Sequence, residues 1–258
     1  EEARPALIGQ FGVGFYSAFM VADRIVVTSR KSGAPVRGVR WTSEGQGTFS
    51  VEEAPKERRG TEIVLHLKEE AKEYLQPWKL QETIKRFSDF VEHPIVLLSP
   101  KRDKQGAPTG ETEEETVNRQ QAIWLRPKNE VQEKEYAEFY QHLSHDAEAP
   151  LATLHWSAEG TLEFKVLLFV PAKRPPGMFF REKRRGLHLY VNRIFILDDC
   201  ETLLPPYLDF IQGVVDSSDL PLNVSREMLQ EDRHLPQIRK NLVKKVFGTL
   251  REMQEKER

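Results

Sequence analysis

The feature that most constrains the fold is a charged stretch in the middle of the chain. From Lys101 to Asn118 it reads KRDKQGAPTGETEEETVN, with glycine, proline and no apolar pattern. A segment without apolar periodicity offers no face to a hydrophobic core. We therefore predict a flexible linker over residues 99–118 that separates a domain at 1–98 from a domain at 119–258.

The first half alternates helix and strand patterns. Residues 9–22 (GQFGVGFYSAFMVA) place glycines before an apolar run of helical length, and residues 24–29 (RIVVTS) are strand-like. Turn-forming residues flank a strand that holds Trp41. In residues 62–67, Ile63, Leu65 and Leu67 alternate onto one face and predict a half-buried strand. Helical spacing over 80–91 ends before Pro94.

The second half also mixes helices and strands. Residues 133–145 have the spacing of an amphipathic helix, and residues 161–170 and 187–197 each predict one strand. A short helix at 207–211, a short strand at 212–216, a helix from Ser225 and a last helix from about residue 235 follow. Both halves therefore belong to the α/β or α+β class.

Composition excludes several classes of protein. The 38 basic and 40 acidic residues give a net charge of −2, whereas a protein that grips nucleic acid usually has a basic surplus. The single cysteine, Cys200, cannot form an intrachain disulfide, and no apolar run is long enough to cross a bilayer. The acidic start EEAR is unlike a secretory signal and suggests a piece of a longer protein.

The glycine turn at residues 9–14 (GQFGVG) has the features that polyphosphate binding needs. Glycines let the backbone approach the ligand closely, and free N–H groups at a helix N-terminus face the anion. The turn lacks the Gly-Lys-Ser/Thr of a Walker loop, and no hydrophobic strand precedes it as in a dinucleotide fingerprint. A tight turn without a ligand remains the alternative.

An arginine near the end of the chain is a second candidate. In DSSDLPLNVSREMLQ (216–230), Ser225 is a good N-cap, so Arg226 falls in the first helical turn. The helix dipole disfavours a cation there by roughly 0.3–1 kcal/mol, and an anionic ligand would reverse the sign. Asn223 and Gln230 could add hydrogen bonds, whereas a surface ion pair with Asp219 or Glu227 is the alternative.

Other candidate sites carry weaker signals. His142, His145 and His155 lack the spacing of metal ligands with Cys or Glu. Asp198-Asp199 could bind a metal ion or simply end a strand in solvent. Met178, Phe179 and Phe180 lie in a segment rich in proline and basic residues, which favours an exposed contact surface over burial.

Four stretches, taken in order, resemble the 90-kDa heat-shock chaperone family, in particular its bacterial branch: GQFGVGFYSAFMVADR, RGTEIVLHL, LYVNRIFILDD and SSDLPLNVSREMLQ. The resemblance covers nearly the whole chain and is weakest at 99–117, where such proteins carry a charged linker. It implies an α/β protein (an α+β two-layer sandwich). The implied order is an incomplete GHKL-type ATPase domain, as in gyrase B, MutL and histidine kinases, followed by the larger α/β subdomain of a middle domain.

The resemblance also implies a split ATPase site. Thr61 would help to hold adenine through water, and Arg226 would reach the γ-phosphate from the middle domain, on one catalytic loop with Asn223 and Gln230. Met178, Phe179 and Phe180 resemble an amphipathic loop that touches client proteins. The turn beside the triphosphate, at the hinge of a mobile lid, would be formed by Gly9, Gln10, Phe11, Gly12, Val13 and Gly14, with backbone N–H groups of Gln10, Phe11, Val13 and Gly14 facing the phosphates.

The implied cofactors are ATP and Mg²⁺, bound in the intact parent protein. The family's general-base glutamate, magnesium-holding asparagine and adenine-reading aspartate of an Asp-x-Gly-x-Gly motif would lie upstream of residue 1, so no metal ligand is assigned to this chain. We therefore expect the isolated chain neither to bind ATP tightly nor to hydrolyse it.

The implied partners are partly folded client proteins, with co-chaperones as further candidates and neither nucleic acid nor membrane. The parent would be a cytoplasmic homodimer joined through a C-terminal domain absent from this chain. Two alternatives stay open. A DNA-processing ATPase of the MutL or gyrase B type would need a basic groove and a catalytic lysine, against which the balanced charge argues. A non-catalytic docking module would use the second half only as a partner platform.

Overall fold

The computed structural model describes residues 14–33, 37–102, 108–173, 186–198, 200–220 and 234–256. The chain divides into two compact units, Glu1–Gln81 and Glu82–Arg258. This division falls earlier in the chain than the predicted boundary at residue 98. The mixture of helices and sheets confirms the predicted α/β class. No helix in the described ranges combines the length and apolarity needed to cross a membrane.

The first unit contains an antiparallel sheet of four described strands. They are β1 (Ala22–Arg30), β2 (Arg37–Ser43), β3 (Phe49–Pro55) and β4 (Gly60–Leu67), in the order β3-β2-β1-β4. A 3-10 helix at Gly14–Met20 precedes β1, and another at Glu69–Leu75 follows β4. Helix α1 (Pro77–Phe87) comes next and ends before residue 91, the last residue of the predicted helical spacing. The strands predicted at 24–29, around Trp41 and at 62–67 are therefore confirmed.

The burial predicted for β4 is wrong. Ile25 pairs with Leu65 and Val27 with Ile63, which places these apolar side chains on one face of the sheet. Ile25 is fully buried, whereas Ile63 is 51% exposed and Leu65 is 38% exposed. Of the described elements, the 3-10 helix at Gly14–Met20 packs mainly against β1. The alternation of apolar residues therefore predicted correctly which side chains of β4 share a face, but it did not predict that this face is exposed.

The predicted flexible linker contains paired strands. β5 (Val96–Arg102) and β6 (Pro108–Thr116) form an antiparallel two-stranded sheet in which Leu98 lies opposite Glu114. Asn118, the last residue of the predicted linker, is buried and fixes the chain just before β5. Its side chain accepts from Ile95 N at 2.7 Å and donates to Val91 O and His93 O at 2.9 and 3.0 Å. Composition alone suggested a linker because β6 consists largely of polar residues, although it pairs regularly with β5.

The second unit is built on a sheet of five described strands in the order β10-β9-β11-β8-β7. Their bounds are β7 (Ala152–Ala158), β8 (Phe164–Val170), β9 (Leu187–Val191), β10 (Ile194–Leu197) and β11 (Gln212–Ser217). β9 and β11 are parallel and the other neighbours antiparallel. The strand predicted over 187–197 is in fact the hairpin β9–β10. Asn192 and Arg193 form its turn, both with positive φ (50° and 65°).

Helices cover both faces of this sheet. Helix α3 (His234–Lys256) buries Leu235, Ile238, Leu242 and Val246 in the core on one face. Helix α2 (Glu133–Ser144) buries Tyr136, Phe139 and Tyr140 in the core on the other face, beside Trp124 and Phe90. β8, with the sequence FKVLLFV, is buried on both sides, as expected for a central strand. The second unit therefore has three layers, not the two that were predicted.

Candidate functional site

Most of the predicted site residues lie outside the described residues. This holds for the glycine turn up to Val13, for the arginine-bearing segment and for the apolar client-contact segment. Gly14 and Thr61 are described. The predicted site residues that lie outside the described ranges are Gly9, Gln10, Phe11, Gly12, Val13, Met178, Phe179, Phe180, Asn223, Arg226 and Gln230.

Gly14 begins the 3-10 helix that lies against the first sheet. Its carbonyl accepts a hydrogen bond from Ser17 Oγ at 2.6 Å, which closes the first turn. A Cβ added to Gly14 would meet no described atom within 4 Å, so packing within the described residues does not require glycine there. The next residue, Phe15, packs edge-on against Trp41 with ring centroids 5.6 Å apart. This contact places the helix on the apolar face of the sheet.

Thr61 lies on that same apolar face. It pairs with Ser29 across β1 and β4, in line with the Val27–Ile63 pair two residues further along. The hydroxyl groups of Thr61 and Ser29 are 2.8 Å apart, and the pair is exposed. The structure therefore brings the end of the glycine turn and Thr61 to one side of one sheet, although they are far apart in sequence.

The apolar face is extensive. Its side chains that are at least one third exposed are Phe15, Val39, Phe49, Val51, Ile63 and Leu65. An apolar patch of this kind, bordered by hydroxyl groups, is typical of a surface that receives a ligand or another piece of protein.

The opposite face of the same sheet is polar and forms a cavity of about 740 Å³. Charges of opposite sign pair across its strands, Arg40 with Glu52 at 3.3 Å and Lys56 with Glu62 at 3.5 Å. Arg24 donates to His66 Nε2 at 3.0 Å, which requires an unprotonated ring nitrogen. The lining carries four basic side chains (Arg24, Arg40, Lys56 and Arg58) and three acidic ones (Glu52, Glu57 and Glu62), so the two signs nearly balance.

Asp216 is a buried polar centre in the second unit that sequence reasoning did not single out. It is 5% exposed and accepts hydrogen bonds from Trp124 Nε1 at 2.9 Å and from Arg193 N at 3.2 and 3.3 Å. Burial raises the pKa of this carboxyl above its ordinary value, and the bonds from Trp124 and Arg193 oppose that rise. Asp216 also lines a cavity of about 370 Å³ with Lys165 and Asn192.

The residues that follow Asp216 are tied to the start of β8. Ser217 Oγ donates to Glu163 O at 2.7 Å, and Glu163 N donates to Asp219 Oδ2 at 2.6 Å. Asp219 N in turn donates to Ser217 Oγ at 3.2 Å, and Leu220 is 1% exposed. Asp219 therefore has a local partner, and the chain is anchored up to residue 220.

One of the three candidate histidines, His155, has structural partners. His155 lies between the Tyr136 hydroxyl at 2.5 Å and the Trp124 carbonyl at 3.2 Å. Burial lowers the pKa values of His142 and His155. Asp198 forms an ion pair with Arg86 at 3.5 Å, and Asp199 lies outside the described residues. Within the described part of the chain, no three His, Cys, Asp or Glu side chains are grouped to hold a metal ion.

Comparison with known proteins identifies a family model and several relatives that this sequence matches. A sequence model of the family described as Hsp90 protein matches residues 100–258. The chain is 57% identical over 264 residues to Chaperone protein HtpG of Geobacter sulfurreducens, covering 98% of the chain and 41% of that relative. Proteins of the same description from Bdellovibrio bacteriovorus and Polaromonas naphthalenivorans are 50% and 51% identical, over 100% and 96% of the chain and 40% of each relative. The chain thus spans about two fifths of the length of these relatives.

Proposed function

The chain belongs to the Hsp90 protein family, and we propose that it forms part of an ATP-dependent molecular chaperone. That chaperone binds and remodels partly folded client proteins and couples ATP hydrolysis to domain closure. The observation that carries the proposal is the identity of 57% over 98% of the chain to Chaperone protein HtpG. In this proposal residues 1–98 belong to a GHKL-type nucleotide-binding domain and residues 119–258 to the larger subdomain of a middle domain.

The described residues of the first unit are compatible with an adenine nucleotide. Thr61 is exposed, and its hydroxyl retains hydrogen-bonding capacity beyond its contact with Ser29. It stands beside the apolar side chains of Ile63 and Leu65, which suit the faces of a heteroaromatic ring. A Cβ added at Gly14 would meet nothing within 4 Å, so the space on that side of its backbone is open. We propose that Gly9 to Gly14 present backbone N–H groups to the phosphates and that Thr61 holds adenine through water.

Arg226 is the proposed catalytic residue of the second unit. Its guanidinium would stabilise the charge that develops on the transferred γ-phosphoryl group, with Asn223 and Gln230 on the same loop. Bound Mg²⁺ would neutralise phosphate charge. No residue of this chain is proposed as its ligand.

The proposed partners are partly folded client proteins, contacted by Met178, Phe179 and Phe180, and co-chaperones. The proposed setting is the bacterial cytoplasm, with the parent protein a homodimer. Membership of the Hsp90 family argues against the DNA-processing ATPase, which is not proposed further. The docking-platform alternative differs from the proposal in a single respect, namely whether Arg226 contributes to turnover.

Replacing Arg226 with Ala tests this difference. The substitution is made in a full-length chaperone in which this chain replaces the matching stretch of the Geobacter sulfurreducens relative. We expect ATP turnover to fall by about tenfold or more, in keeping with arginines that contact a transferred phosphate. Unchanged turnover would favour the docking platform.

The isolated chain provides a second test. Isothermal titration with ATP and Mg²⁺ should give no binding at micromolar concentrations, because the resemblance assigns the adenine-reading and magnesium-holding residues to segments upstream of residue 1. Micromolar affinity would contradict that assignment.

A further inference from the structure

The second unit has a cavity of about 370 Å³ whose lining includes the buried Asp216. The register places Ser157, Lys165 and Asp216 side by side on β7, β8 and β11, in one row across the sheet. This row lies on the face that α2 covers, one step beyond the core pair of Leu167 and Val214. The cavity therefore lies where the apolar core of that face ends and polar side chains begin.

Asp216 has fewer partners than a buried carboxylate needs. It is 5% exposed, and a carboxylate can accept about four hydrogen bonds. Two donors reach it: Trp124 Nε1 at 2.9 Å, and Arg193 N, which is shared between the two oxygens at 3.2 and 3.3 Å. The Arg193 guanidinium pairs instead with Glu92 at 3.2 Å, and no cation among the described residues forms an ion pair with Asp216. The carboxylate thus lacks a counter-charge, which is costly for a buried group.

The other charges around the cavity are mostly acidic once existing ion pairs are counted. Glu159 and Glu163 line it and are exposed, and neither carboxylate has a partner within the described part of the chain. Of the two lining cations, Arg193 is committed to Glu92, which leaves Lys165. With Asp216, three carboxylates therefore stand against one uncommitted ammonium group. Such an excess of negative charge in a concave surface attracts a cation.

The strand beside the cavity indicates where that cation comes from. β7 is a terminal strand of the sheet as described, and Ser157 and Ala158 at its end line the cavity. A terminal strand directs alternate backbone N–H and C=O groups away from its neighbour. Apart from β8, no described element forms a backbone hydrogen bond with residues 152–158. An extended polypeptide that pairs with such an edge projects alternate side chains to one face, which here is the face of the cavity.

We propose that this cavity binds the guanidinium or ammonium group of an arginine or lysine side chain in an extended segment of a client polypeptide. Asp216, Glu159 and Glu163 supply the acceptors, and the free edge of β7 pairs with the backbone of the segment. This inference rests on the proposed function, because it names the client chemistry that one surface of the chaperone recognises. It does not involve the nucleotide, so it is tested without ATP.

The test is an NMR titration of the 258-residue chain with the peptide acetyl-Ala-Ala-Arg-Ala-Ala-amide. The control peptide carries citrulline, the uncharged isostere of arginine, and acetyl-arginine-amide supplies the cation without a strand. The indole N–H of Trp124 is the reporter because it donates to Asp216, and the indole N–H of Trp41, in the first unit, is the reference. Glu163→Gln and Lys165→Met change the charge of the cavity in opposite directions at exposed positions, so folding is retained. Lys240→Met, at an exposed position of α3, controls for net charge.

We expect the arginine peptide to shift the Trp124 indole signal saturably and the citrulline peptide to bind about tenfold more weakly, the scale of a hydrogen bond to a charged group. Glu163→Gln should weaken the affinity about two- to fivefold and Lys165→Met should strengthen it by a similar factor, the scale of one exposed charge pair. Lys240→Met should leave it unchanged.

Acetyl-arginine-amide should bind about threefold more weakly than the peptide, because it cannot pair along β7. No saturable shift, equal affinity for the arginine and citrulline peptides, or opposite signs in the two cavity variants would overturn the inference. Equal affinity for acetyl-arginine-amide and the peptide would overturn the assignment to a polypeptide. If Arg226→Ala lowers ATP turnover while the peptide fails to bind, the client site fails and the proposed ATPase function stands.

Discussion

Gly213 tests the packing of the sheet in the second unit most directly. It lies in β11 between β8 and β9, with φ of 149°. A Cβ added there would lie 2.2 Å from Leu167 O and 2.8 Å from Leu168 Cα, both of them backbone atoms of β8. The closer contact is about 0.8 Å inside the 3.0 Å that Cβ atoms keep. No side-chain rotation relieves it, so Gly213→Ala must move β11 away from β8.

The expected loss of unfolding free energy in Gly213→Ala is the sum of two contributions. Overpacking of a tight interior costs about 1–3 kcal/mol, and a non-glycine residue in a sparsely populated backbone region costs about 1–3 kcal/mol more. Gly213→Ala should therefore lower the free energy of unfolding of the second unit by about 2–6 kcal/mol, a large part of the roughly 5–15 kcal/mol of an ordinary domain.

Urea titration read by hydrogen exchange in peptides covering β8 and β11 measures this unit specifically. Gly248→Ala is the matched control, because Gly248 lies inside α3 and an added Cβ would meet nothing within 4 Å apart from the adjacent backbone of its own helix. The control should gain about 0.5–1 kcal/mol from helix propensity. A loss below about 1 kcal/mol for Gly213→Ala, or the same sign of change in both variants, would refute the reasoning.

Two further predictions concern the second unit. Burial lowers the pKa values of His142, His155 and His188, so the folded state takes up fewer protons than the unfolded chain once the pH falls to about 6.5. The urea midpoint should therefore be constant above that pH and fall below it, and His188→Gln should reduce the slope; a midpoint that rises on acidification would contradict this. Asn118→Ala leaves Ile95 N and two carbonyl groups without their partner and should cost about 2–4 kcal/mol by the same titration. Asn241→Ala, whose amide donates to Gln237 O within α3, should change stability by less than about 0.5 kcal/mol, and equal effects would refute the role of Asn118.

The sequence predicted those elements whose periodicity is local. Helix α2 was expected at 133–145 and is observed at Glu133–Ser144, and the last helix, expected from about residue 235, is described over His234–Lys256. The β9–β10 hairpin was missed because Asn192-Arg193 lacks the glycine that usually marks a two-residue turn. The position of this turn depends on Asp216, which accepts from Arg193 N and is remote in sequence.

The candidate sites depend even more on distant residues. Thr61 stood out only through a family resemblance, because a threonine after a glycine is an ordinary start for a strand. Asp216 carried no signal of its own, since its partner Trp124 is 92 positions away. A pattern within one segment can show which side chains share a face, but it cannot show which distant group completes their hydrogen bonds.

The contrast between β4 and β8 shows that the burial of a strand also depends on residues far away in the sequence. Both are strands rich in apolar residues, yet β8 is buried on both faces while Ile63, Val64 and Leu65 of β4 are exposed. The difference comes from their neighbours, because α2 and α3 cover the two faces of the second sheet whereas the described elements of the first unit leave β4 open. An apolar strand face that is open to solvent gains nothing from the hydrophobic effect until something covers it. The face that bears Thr61 would therefore be stabilised by a bound ligand or by further protein that covers it, and it is also where the nucleotide is proposed to bind.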